Sequence, residues 1–101
     1  MIAYTIWFWF LPNGDHPRTV DQAIEKLLSE LTEEDLAQVR STPHDELGLF
    51  HMSLGMHIRN EFGFSRGNLR LILSIGKIEA VHPDYASHYI ILALWEHLKS
   101  A

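Results

Sequence analysis

Apolar residues recur at three- and four-residue spacing along most of this chain, and the recurrences predict about five helices. Val20, Ala23, Ile24, Leu27, Leu28 and Leu31 form one stripe with Asp21, Glu25, Lys26 and Glu30 opposite, behind a capping-box string TVDQ at 19–22. Thr32 followed by Glu33, Glu34 and Asp35 starts a second, short helix anchored by Leu36 and Val39, with its acids in the turn where the helix dipole favours them. Thr42-Pro43, with Asp45 just beyond, reads as the start of a third and longer helix running to about Glu61. Along it Leu47, Phe50, Leu54, Ile58 and Phe62 keep the helical spacing. Gly63 is suited to end it as a left-handed cap. Asn68 caps a fourth helix through Leu71, Ile72, Leu73 and Ile75, stopped by Gly76; residues 77–81 connect it to the last, which His82-Pro83-Asp84 opens. That last helix is apolar over more than half its circumference, which makes it the central one. The expectation is an all-α fold: a compact bundle of about five helices over residues 19–100, carrying an amino-terminal arm and linker over 1–18, as a single domain spanning 1–101.

Two glycines, Gly48 and Gly55, interrupt the predicted third helix seven residues apart and thus on nearly one side. Each costs about 1 kcal/mol against alanine, so a packing reason is expected, such as the close approach of another backbone.

The opening run MIAYTIWFWF is apolar for ten residues. It is too short to span a bilayer and lacks the basic start and small-residue cleavage pattern of a secretory leader. Tyr4, Ile6, Trp7, Phe8, Trp9 and Phe10 place large side chains on both faces of an extended or β arm, which then needs cover on both sides. No second strand is evident to pair with it. The same segment of another copy would serve, and this predicts a homo-oligomer with those six residues at its interface. The alternative is an ordered arm lying across its own helices. The linker LPNGDHPR at 11–18, with Asn13-Gly14 and two prolines, separates arm from bundle.

Composition narrows the function classes. Of 101 residues, 47% are hydrophobic and 21% charged, ordinary for a folded soluble domain. With no cysteine, disulfides, thiolate metal sites and cysteine nucleophiles are excluded, and a cytoplasmic location is the expectation. The formal charge of −5 argues against general nucleic-acid binding, which draws on phosphate neutralisation. The charge is uneven: residues 1–50 hold three basic and nine acidic side chains, residues 51–101 five and four. Arg59, Arg66, Arg70 and Lys77 lie in a stretch whose one acid is Glu61, which leaves room for a local anion site.

The candidate chemistry centres on Arg59, Asn60, His82 and Asp84. An arginine late in one helix and an aspartate early in another can form a charge-assisted pair that fixes how the helices cross; the same groups can also line a pocket for a polar or anionic ligand. Arg66 and Arg70 flank Asn68 at a helix start, either as phosphate contacts or as solvated loop arginines. Seven histidines do not make a metal site: His51 and His57 fall on different sides of a helix, and Asp84 with His88 supplies two ligands. Ser53, Ser65 and Ser87 have no nucleophile-elbow context. No metal and no cofactor is expected.

The strings LGMHIRNEFG at 54–63, preceded by His51, then Gly67-Asn68 and HPDYAS at 82–87, resemble a family of short bacterial proteins catalogued as domain of unknown function 6794. The resemblance spans about residues 18–99. His57 and Ser65 stand where that pattern has aromatics, Glu61 where it has asparagine, and Tyr85 where it has a second aspartate. It implies a soluble α-helical fold and says nothing about activity. Small size, acidity and the lack of catalytic motifs make the expected function a helical binding module, self-associating through its arm and meeting a cognate protein partner in an antidote, immunity or counter-defence role, an interaction protein sooner than an enzyme, with no membrane association. The alternative is a nucleotide-like anion binder, or a small degradative enzyme, using Arg59, Asn60, His82 and Asp84 with Arg66, Asn68 and Arg70.

Overall fold

Three of the five α-helices among the described residues begin at side-chain caps. A computed structural model describes residues 16–100. Among them lie five α-helices, α1 Val20–Glu30, α2 Glu33–Ser41, α3 Leu54–Glu61, α4 Leu69–Ile75 and α5 Pro83–Ser100, with 3₁₀ segments at His44–Phe50, Phe64–Arg66 and Ile78–Val81. No strand occurs among the described residues, and the fold is all-α. The arm residues Tyr4, Ile6, Trp7, Phe8, Trp9 and Phe10 lie outside the described residues.

The predicted caps are in place. Thr19, Thr32 and Asn68 each accept a hydrogen bond from a backbone N–H of the first turn that follows. Gly63 and Gly76 adopt φ of 76° and 78°, the left-handed conformation that side chains disfavour, immediately after α3 and α4.

The predicted long third helix is two elements instead. His44–Phe50 winds as 3₁₀, residues 51–53 turn, and α3 starts only at Leu54. Leu47 and Phe50 are three apart, the 3₁₀ repeat as much as an α spacing, so their periodicity does not distinguish the two. At the junction the His51 carbonyl accepts from the Arg59 side chain at 3.2 Å, and Ser53 sits off the helical region at φ −105°, ψ −84°. Pro43 correspondingly precedes the 3₁₀ segment in extended backbone rather than opening a helix.

α5 packs against all four other helices, burying Ala86, Ser87, Ile90, Ile91 and Leu94. Leu27, Val39, Leu47, Ile58, Phe62 and Leu71 complete a core that draws on every other element. Burying a side chain of this size contributes about 1.5–3 kcal/mol each, which is why α5 and Phe62 organise the fold. Polar ties fix the periphery: Trp95 donates from Nε1 to the Thr42 carbonyl at 2.8 Å, and the Val20 amide donates to Ser74 Oγ at 3.0 Å, joining α1 to α4.

Candidate functional site

Arg59 leaves the last turn of α3 and turns inward, with 13% of its side chain exposed. Its Nη1 donates to Ser87 Oγ at 3.1 Å and lies 3.4 Å from His51 Nδ1, and its Nη2 donates to the His51 carbonyl. Asp84 meets it from the start of α5, Oδ1 to Nε at 3.7 Å, but that carboxylate is 75% exposed. The expected pair between α3 and α5 therefore exists, on the wet rim of a cluster whose buried centre is Ser87. Ser87 is fully buried, and its Oγ donates a hydrogen bond to the Asp84 main-chain carbonyl at 3.0 Å. Hydrogen bonds join this guanidinium to Ser87 and His51, so the cluster ties α3 to α5 and to the turn before α3.

Gly55 is part of the same arrangement. A Cβ there would lie 3.0 Å from Arg59 Nη1, 3.4 Å from the Phe50 carbonyl and 3.7 Å from Ser87 Oγ. The expected packing reason is real for Gly55, where a guanidinium approaches as well as a backbone; at Gly48 nothing among the described residues comes within 4 Å.

Asn60 and His82 do not join the cluster. Both are exposed, and among the described residues neither side chain has a hydrogen-bond partner; the His82 carbonyl accepts from the Ala86 amide at 3.0 Å as α5 begins.

Arg66, Asn68 and Arg70 are brought together, with two residues the sequence reading passed over. They line an open concavity of about 560 Å³ with His16, Arg18, Gly63, Gly67 and Leu69. Asn68 builds its floor: Nδ2 donates to the Pro17 carbonyl at 2.9 Å and the Phe62 carbonyl at 2.8 Å, while Oδ1 accepts from Leu71. The ring of His16 covers Gly63, so closely that a Cβ at that glycine would sit 2.6 Å from Nδ1. The string HPR at 16–18 carried the missed residues, but only the fold sets them beside 63–70.

A second concavity, of about 530 Å³, is apolar in character: Leu31, Val39, Leu49, Phe50 and Leu54 line it with Asp35, Gln38, Thr42, Ser53 and His57. Leu49 is 75% and Met52 69% exposed, with Met56 also exposed on the same stretch of chain. At its edge His57 Nε2 lies 3.1 Å from Glu30 Oε1. That hydrogen bond raises the imidazole pKa above the ordinary 6.5, against the lowering effect of burial, and the charges of Glu30 and Glu61 add to the rise.

Among the described residues no three His, Cys, Asp or Glu side chains group as metal ligands, and no helix is long and apolar enough to cross a membrane. A family model described as Domain of unknown function (DUF6794) matches residues 16–98. No curated protein and no solved structure matches the chain.

Proposed function

The chain belongs to the domain of unknown function (DUF6794) family, whose description carries no activity, and from its own geometry we propose that it is a self-associating binding module. The observation that carries this reading is the exposed apolar stretch Leu49, Met52 and Met56 beside the groove of Leu31, Val39, Phe50 and Leu54. Exposed apolar side chains near a groove mark a surface that another apolar element covers, and methionines adapt well to such contacts.

The occupant is the arm of a second copy. Residues 1–10 carry no charged side chain, and an extended conformation would place large apolar side chains on both of its faces. A groove covers one face of such a segment, and the matching arm of the partner, paired edge to edge, satisfies its backbone hydrogen bonds. Two arms and two grooves close into a two-fold dimer, the commonest arrangement for a self-complementary surface.

Light scattering on the purified full chain tests it. The expected mass is about 23 kDa, twice the 11.7 kDa of one chain. Trp7→Asp in the arm and Leu49→Asp in the groove should each give a monomer of unchanged helical content. A wild-type monomer at micromolar concentration, or a dimer that survives both substitutions, would falsify the proposal.

A further inference from the structure

We propose that the concavity bounded by His16, Arg18, Arg66 and Arg70 binds a small phosphorylated anion, of the pyrophosphate-bearing class, separately from the apolar dimer face. Three guanidiniums and an imidazole line it, and no carboxylate does among the described residues. Elsewhere this acidic chain pairs its inward-facing cations: Arg59 with Asp84, Lys26 with Glu30. Arg18, Arg66 and Arg70 have no carboxylate within salt-bridge distance among the described residues, although the sequence holds 13 acids against eight basic residues. Like charges gathered in one concavity repel, and an anion bound between them relieves that repulsion.

The frame holds these cations in place. Gly63 and Gly67 both take left-handed φ, 76° and 75°, and the Gly63 carbonyl accepts from the amides of Arg66 and Asn68, both at 3.0 Å. The tight turn so formed carries Arg66 and leads into α4, where Arg70 follows. Asn68 then ties that turn to Pro17, 51 residues earlier in the chain, beside the His16 and Arg18 that line the same concavity. With both amide hydrogens and its carbonyl already committed, Asn68 is a positioning residue rather than a ligand contact. Its place in the site differs from that of the arginines.

Charge and shape select the ligand class. Guanidinium forks match phosphate oxygens in bidentate pairs, and three of them exceed what a single carboxylate neutralises. A volume of about 560 Å³ lies within the range of small-molecule sites, and Leu69, 61% exposed at the margin, offers an apolar contact for whatever the phosphates are attached to. A polymer fits less well, because a nucleic-acid surface needs an extended basic stripe and this chain is acidic overall.

Isothermal titration of the full chain with inorganic pyrophosphate, in physiological salt, tests the site. Saturable binding of one pyrophosphate per chain is expected, weakened at least about tenfold in the R66Q/R70Q double variant and also weakened by Arg18→Gln, with thermal unfolding unchanged because all three side chains are exposed. A control variant, Arg40→Gln, should bind as the wild type does. Absence of saturable binding overturns the proposal, as does binding that the double variant retains or that Arg40→Gln reduces equally. A single-stranded oligonucleotide that binds more tightly than pyrophosphate and displaces it would also overturn it, by marking the concavity as a nucleic-acid surface.

Discussion

At Arg59 one side chain serves Ser87, His51 and Asp84, and these contacts differ in worth because their exposure differs. The Asp84 carboxylate is open to water, where an ion pair contributes only up to about 1 kcal/mol. The bonds to Ser87 and the His51 carbonyl are shielded, and deleting their donor leaves acceptors unsatisfied at about 1–3 kcal/mol. Arg59→Ala should therefore lower unfolding free energy by about 2–3 kcal/mol and Asp84→Asn by under about 1 kcal/mol, as read by chemical denaturation. Equal losses would refute this ranking. The pair of Arg59 with Asp84 was legible from the sequence because opposite charges at two helix ends attract attention. Ser87 and the His51 carbonyl were not, since a serine hydroxyl and a main-chain oxygen carry no pattern that announces a partner. The pair of His57 and Glu30 gives a pH signature at the same scale. Because folding raises the His57 pKa, its contribution is fully present below the ordinary 6.5 and is lost as pH rises through the raised folded value. The stability difference between wild type and His57→Gln should shrink from about pH 5.5 to about pH 8.5. A difference constant over that range would exclude the coupling.

Helix ends were readable one by one, because each depends on a local cap: Thr19, Thr32, Asn68, Gly63, Gly76 and Pro83 all act where their chemistry places them. The break between His44–Phe50 and α3 was not readable, because the apolar spacing is shared by 3₁₀ and α winding and the decisive contact, Arg59 to the His51 carbonyl, is tertiary. The two glycines that looked alike in the sequence separate on this basis. Among the described residues Gly48 has open space around the position of a Cβ, so Gly48→Ala should raise stability by about 0.4–1 kcal/mol through the unfolded chain. Gly55→Ala has the same intrinsic preference, but its methyl group meets a guanidinium held by hydrogen bonds, and thermal unfolding should show a net loss. A stabilised Gly55→Ala would mean that Arg59 moves aside freely.

For the molecule as a whole, the central place of α5 and the all-α class followed from the breadth of its apolar surface, which no edge position would tolerate. The basic concavity was legible by half. Arg66 and Arg70 stand out in a locally basic stretch, while His16 and Arg18 join them only through a hydrogen bond across 51 residues. The apolar groove was not legible at all, since Leu31, Val39, Phe50 and Leu54 each read as core from the sequence and only the fold leaves a channel between them. That channel and the uncharged arm are the two halves of the proposed dimer. The most direct test places a photo-reactive phenylalanine analogue at Phe8 and mixes isotopically heavy with light chains before irradiation. Cross-links that join a heavy arm to a light peptide containing Leu49–Leu54 are the expected result. Cross-links confined to single copies would show an arm folded on its own bundle, and would contradict self-association.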